Sequence, residues 1–169
     1  VLPYWIKKAR QVGMLWEDMN KYNHPKNVAG SGGVVVVMAF IISVLSYVFF
    51  KTFFLGRTPH EVEIFALLAM ILIFGLIGLT DDLLGWRNGG LSTRARVILS
   101  IIASIPLVVI NAGSSSVSLP LFGTINFGIL YPLIIIPLAV GFVSTTYNFL
   151  AGFNGLEAGM GVLILSYLS

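Results

Sequence analysis

Four long stretches of the chain are almost wholly apolar, and short polar stretches separate them. A bilayer's hydrocarbon core is roughly 30 Å thick and a helical residue rises about 1.5 Å, so crossing it takes about 20 mostly apolar residues. The stretches 34–55, 59–79, 97–111 and 128–147 meet that need, the third only with its helix extended on either side, and 157–169 begins a fifth. The pattern predicts an all-α fold, a polytopic transmembrane helix bundle. It has about four complete spans and partial spans at both ends, in a single membrane domain over residues 1–169. At the start, Val1 to Ile6 are apolar and Lys7, Lys8 and Arg10 follow. That order is the reverse of a secretory signal and suits the tail of an earlier span. The sequence begins at Val1 and breaks off inside an apolar run at 161–169, so a fragment is expected.

Punctuation supports these spans. Thr58 can cap the second, with Pro59 at its first helical position and Glu61 completing a capping box. Ser92 is a similar cap for the helix carrying Arg94 and Arg96. Pro106, Pro132 and Pro137 fall inside apolar runs, which membrane helices tolerate because neighbours re-satisfy the freed carbonyls. Residues 112–127 alternate weakly and are rich in Gly and Ser, predicting a short extracytoplasmic hairpin.

Composition agrees with a bilayer setting. Hydrophobic residues make up 57%, charged residues 10%, and mean hydropathy is +0.93, whereas soluble domains carry roughly 25% charge. Between Val97 and Ser169 the only ionisable side chain besides tyrosines is Glu157, so a soluble core and disorder are both excluded. Without cysteine there are neither disulfides nor thiolate metal sites.

Crossing parity puts residues 1–33 and 80–96 on one face and 56–58 and 111–127 on the other. Lys7, Lys8, Arg10, Lys21, Lys26, Arg87, Arg94 and Arg96 lie on the first face, against Lys51 and Arg57 on the second. By the positive-inside rule the first face is cytoplasmic. The cytoplasmic loops are then 7–33, 80–96 and 148–157, and the polar residues that could do chemistry converge on one side. His24 and His60 fall on opposite faces and cannot pair on a metal.

Asp81 and Asp82 stand where the apolar run from Ile64 to Leu79 stops and the basic stretch begins. A single boundary acid would ordinarily be solvated by interfacial water. Two adjacent acids at the C-terminal end of a helix face the negative end of its dipole and repel each other, which a cation would offset. Mg²⁺ suits them, since it takes oxygen ligands and is usually shared with substrate phosphates. In the run from Tyr147 to Gly159, Asn148 and Asn154 offer carbonyl oxygens and amides, and its glycines let a ligand approach the backbone. Alone, that run also reads as a Gly-rich turn between helices. The stretch Glu17-Asp18-Met19-Asn20-Lys21 leads to Gly30-Ser31-Gly32-Gly33. There, Gly32 and Gly33 serve either close helix packing or a phosphate cradle. Trp5, Trp16 and Trp86 suit the interfacial aromatic belt, and Lys7, Lys8 and Arg10 suit anionic lipid.

Asp18-Met19-Asn20-Lys21, Gly78-Leu79-Thr80-Asp81-Asp82-Leu83-Leu84-Gly85, Gly90-Leu91-Ser92-Thr93-Arg94-Ala95-Arg96 and, above all, Asn148-Phe149-Leu150-Ala151-Gly152-Phe153-Asn154-Gly155-Leu156-Glu157-Ala158-Gly159 carry a family likeness. In this order the chain resembles the polyprenyl-phosphate N-acetylhexosamine-1-phosphate transferases of the glycosyltransferase 4 type. The nearest look is to the dolichyl-phosphate N-acetylglucosaminephosphotransferases of archaea and eukaryotes. The bacterial phospho-N-acetylmuramoyl-pentapeptide transferase is a more distant relative.

That resemblance implies attack by a lipid phosphate on the β-phosphate of a UDP-N-acetylhexosamine. UMP is released and the sugar phosphate passes to polyprenyl or dolichyl phosphate, the first membrane step of lipid-linked oligosaccharide assembly for protein glycosylation. It implies Mg²⁺, with Mn²⁺ as the other candidate. Asp81 and Asp82 match the catalytic pair, and Asp82 and Asn148 are the metal-ligand candidates. Glu17, Asp18, Met19, Asn154 and Glu157 match the nucleotide-sugar stretch, and Lys21, Arg94 and Arg96 match the side meeting lipid phosphate. The expected setting is an archaeal cell membrane, or the endoplasmic reticulum membrane in a eukaryote, with the active site cytoplasmic. A homodimer stays open as the assembly, and no nucleic-acid partner is expected.

Gly30 stands where relatives often carry a sugar-directed glutamate, and Thr145 replaces an asparagine. The resemblance covers about the first half of a complete member. Later loops with a further metal-binding aspartate and a histidine-containing sugar loop lie outside the chain, so the segment alone is not expected to turn over. An ion-coupled transporter and a non-catalytic scaffold are the competing readings. The transporter favours ionisable groups near mid-membrane, whereas here they cluster at one edge.

Overall fold

The computed structural model describes residues 1–18, 21–56, 60–119, 123–150 and 155–168. It is a polytopic helical membrane protein. Four helical stretches are long and apolar enough to cross a bilayer: Gly33–Leu55, Glu61–Gly85, Thr93–Ile110 and Tyr131–Phe149. A first helix, α1 (Leu2–Val12), takes the apolar start and the basic residues after it into one element, closed by Gly13 in the left-handed conformation. The first span is α2 (Gly33–Phe50), which ends in a π-helical turn over Lys51–Leu55. The second is α3 (Glu61–Asn88). The expected cap at Thr58 and Pro59 lies outside the described residues.

The third span is α4 (Thr93–Ala103) followed by α5 (Ile105–Ile110), interrupted at Ser104 just before Pro106. Proline has no N–H to donate and its ring crowds the preceding turn, and the Ser104 hydroxyl caps the break by donating to the Ile101 carbonyl at 2.6 Å. Ser92 caps α4 as its sequence predicts: its backbone is extended and its hydroxyl accepts from the Ala95 N–H at 3.3 Å. The fourth span opens with a π-helical turn at Tyr131–Ile135 and continues as α6 (Ile136–Phe149). The last helix, α7, covers Leu156–Leu168.

Between the third and fourth spans, β1 (Ser116–Leu119) pairs antiparallel with β2 (Gly123–Asn126), the hairpin expected at 112–127. A second, smaller hairpin was not foreseen. Leu15–Trp16 pairs antiparallel with Val28–Ala29 ahead of α2.

Packing runs α2 to α3, α3 to α4 and α5, and α4 to α6. Glycines set two of these approaches. A Cβ on Gly75 of α3 would stand 3.2 Å from Val37 of α2, and one on Gly141 of α6 would stand 2.9 Å from Ile101 of α4. Gly32 and Gly33, considered above for close helix packing, have nothing within 4 Å of such a Cβ. The α2–α3 approach is made at Gly75. Most leucines, isoleucines, valines and phenylalanines along the spans are exposed, as lipid-facing side chains are in a membrane protein.

Candidate active site

Helix α3 does not stop where its apolar run stops. It runs to Asn88 and ends on Gly89, which takes the left-handed φ of +85°. Asp81 and Asp82 therefore lie inside the helix, about two turns before its end, rather than at its terminus as expected. The helix dipole acts mainly within the last turn, so it does little to destabilise this pair. The repulsion between the two carboxylates remains, and a cation from another element offsets it.

That cation is Arg96, on the first turn of α4. Its Nη2 lies 3.0 Å from Asp81 Oδ2 and donates to Asp81 Oδ1 at 3.1 Å, while the Leu91 backbone N–H donates to Oδ1 at 2.7 Å. The turn Gly89-Gly90-Leu91 brings the two together. Gly90 has φ +79°, and a Cβ there would stand 2.9 Å from Asp81 Oδ1 and 3.5 Å from Arg96 Nη2. Glycine is thus required twice, for the backbone angle and for room beside the carboxylate.

The Asp82 side chain makes no hydrogen bond or ion pair among the described residues. It lines a groove of about 350 Å³ between α2 and α3 with Gly33, Val34, Gly75 and Gly78. Asn148, at the end of α6, is exposed. It shares a cavity of about 190 Å³ with Thr93, Arg96, Ser100, Ser144, Thr145 and Phe149. Arg96 thus joins Asp81 on one side to the Asn148 cavity on the other, and its Nε is buried without a partner.

The remaining expected site residues are dispersed. Lys21 pairs with Asp18 at 3.5 Å, and the Asp18 N–H donates to the Pro25 carbonyl at 3.1 Å. Glu17, Arg94 and Glu157 are exposed. Met19 and Asn154 lie outside the described residues. Among the described residues, no three histidine or acidic side chains gather in one place.

Trp16 does more than the aromatic belt assigned to it above. Its indole lies against the positions that Cβ atoms on Gly30 and Gly85 would occupy, closely at Gly30 and at 2.9 Å for Gly85. Trp5 Nε1 donates to the Gly30 carbonyl at 3.1 Å. Trp16 sets the small hairpin against the part of α3 that follows the aspartates, and Trp5 ties the hairpin to α1. Paired glycines facing a tryptophan were the available sequence signal, but they are far apart along the chain.

A glycosyl transferase family 4 model matches residues 64–169, which include both aspartates, Arg96 and the Asn148 region. The chain belongs to that family. It is 37% identical over 164 residues to a putative UDP-N-acetylglucosamine–dolichyl-phosphate N-acetylglucosaminephosphotransferase of Saccharolobus solfataricus, covering 97% of this chain and 47% of the relative. A protein of Dictyostelium discoideum, named as the same transferase, is 31% identical, covering 97% of this chain and 42% of the relative. The phospho-N-acetylmuramoyl-pentapeptide-transferase of Enterococcus faecalis is 34% identical over 139 residues, covering 78% of this chain and 41% of the relative. The chain thus spans about half the length of these family 4 relatives. No solved structure matches it.

Proposed function

We propose that the complete protein transfers N-acetylglucosamine 1-phosphate from UDP-N-acetylglucosamine to a polyprenyl phosphate of the dolichyl type at the cytoplasmic membrane face. An oxygen of the lipid phosphate attacks the β-phosphorus, the bond from that phosphorus to the bridging oxygen breaks, and UMP leaves. The observation that carries this reading is Arg96, which is held by Asp81 and at the same time borders the cavity of Asn148. Phosphoryl transfer depends chiefly on positioning and neutralising charge. A guanidinium fixed at the membrane edge supplies both to an incoming lipid phosphate.

The donors suit Mg²⁺. Asp82 offers an uncommitted carboxylate and Asn148 an exposed amide oxygen; they line separate cavities, and among the described residues no three histidine or acidic side chains gather at either. So few protein ligands are what an ion sharing its shell with waters and substrate phosphates requires. Bound there, Mg²⁺ would draw off phosphate charge; Mn²⁺ would take the same oxygens. Asp81 acts on the phosphates through Arg96, whose position it fixes. Glu17, Asp18 and Glu157 supply nucleotide-sugar contacts, and Lys21 and Arg94 add positive charge where an anionic lipid head arrives. The names of the relatives support these substrates.

Membranes containing the complete protein should release UMP from UDP-N-acetylglucosamine when given polyprenyl phosphate and Mg²⁺, and Asp82→Asn should abolish the release. Release undiminished by that substitution removes Asp82 from the mechanism. No release from any UDP-sugar overturns the transferase reading.

A further inference from the structure

Tyr147 opens the run that holds Asn148 and Asn154, and no role has been given to it above. It sits in the last turn of α6, next to Asn148. Its ring lines an apolar cavity of about 500 Å³ with Met70 and Phe74 of α3 and Val143 of α6. Its hydroxyl donates to the Glu157 backbone carbonyl, in the first turn of α7, at 2.6 Å. One turn further along α7 is Gly161, where a Cβ would stand 3.4 Å from the same hydroxyl. The glycine keeps that space clear.

This bond ties the first turn of α7 to the last turn of α6. Hydrophobic burial does little to hold α7 in this chain, because none of its described residues is buried. The tyrosine is half-buried in the last turn of α6, and its hydroxyl ties the start of α7 to that helix. A short neutral hydrogen bond of this kind contributes modestly to holding the position of α7.

We propose that the Tyr147 hydroxyl is a positioning group for the nucleotide-sugar side of the site, fixing Glu157 at the start of α7 against the end of α6. The proposal rests on the transferase reading above. The lipid-phosphate contacts assigned to Lys21, Arg94 and Arg96, and the metal oxygen assigned to Asn148, lie on elements other than α7. Losing the hydroxyl should therefore weaken one substrate and spare the other.

The test is Tyr147→Phe in membranes containing the complete protein, with KM measured separately for UDP-N-acetylglucosamine and for polyprenyl phosphate. An ordinary net hydrogen bond corresponds to roughly fivefold in an equilibrium constant. KM for the UDP-sugar should rise by about that factor, while KM for the lipid and kcat stay within about twofold. KM does not depend on how much enzyme is folded, so the comparison holds if the variant expresses poorly. A fall in kcat with both KM values unchanged makes the hydroxyl a support for folding alone and overturns the proposal. So does a variant indistinguishable from the wild type. A wild-type protein inactive with UDP-sugars overturns the transferase reading first, and this proposal with it.

Discussion

A single nitrogen of Arg96 reaches both carboxylate oxygens of Asp81, at 3.0 and 3.1 Å. The guanidinium therefore does not lie fork-to-fork on the carboxylate, and Nη1 and Nε are not spent on it. With 39% of the Arg96 side chain exposed, the pair is close to a surface ion pair, which contributes about 0–1 kcal/mol to stability. Its value lies in aiming the arginine rather than in holding the bundle together.

A double-mutant cycle separates those two roles. Asp81→Asn and Arg96→Gln should couple by less than about 1 kcal/mol in unfolding measured in detergent. Each alone, introduced into the complete protein, should lower the proposed transfer activity by about tenfold or more, since a phosphate-neutralising group is lost or misaimed. Coupling of several kcal/mol in unfolding would instead make the pair a structural clamp.

The turn that seats this pair offers a matched comparison. Gly89 and Gly90 both have positive φ, so alanine at either costs roughly 1–2 kcal/mol of backbone strain. At Gly89 the new methyl meets nothing within 4 Å, whereas at Gly90 it meets Asp81 Oδ1 at 2.9 Å. Gly89→Ala and Gly90→Ala should therefore destabilise the protein similarly, as read by thermal unfolding. Gly90→Ala alone should markedly depress activity at temperatures where both are folded. Equal activities would mean that the Asp81 carboxylate tolerates displacement.

The spans were legible because the bilayer dictates their length, and the Ser92 cap and the hairpin at 116–126 were legible because each has a local signature. The extent of α3 was not. Polarity rises at Asp81, but that rise is not the helix end. Leu83 and Leu84 continue the helix to the first left-handed glycine at Gly89. The strands Leu15–Trp16 and Val28–Ala29 are too short to show any period. Charge counting put Asp81 and Arg96 on one side of the membrane, but their contact depends on how the Gly89-Gly90 turn folds back. The link from Tyr147 to Glu157 ends on a backbone carbonyl, which no sequence pattern marks.

The cavity between Arg96 and Asn148 depends on how closely α4 and α6 approach, and Gly141 sets that approach. A methyl at Gly141 would stand 2.9 Å from Ile101 Cγ1 and 3.7 Å from Cδ1. Gly141→Ala should therefore push the helices apart and destabilise the bundle by about 1–3 kcal/mol, the usual cost of overpacking. Ile101→Ala removes both atoms that the methyl would strike. Residues in direct contact couple, so the double variant should be more stable than the two single losses predict, by about 1 kcal/mol or more, and should regain part of the activity lost in Gly141→Ala. Unfolding of the four proteins in detergent, with UMP release from each, reads both effects. Strict additivity in both would mean that the α4–α6 spacing is fixed elsewhere and that Gly141 is not what holds Arg96 opposite Asn148.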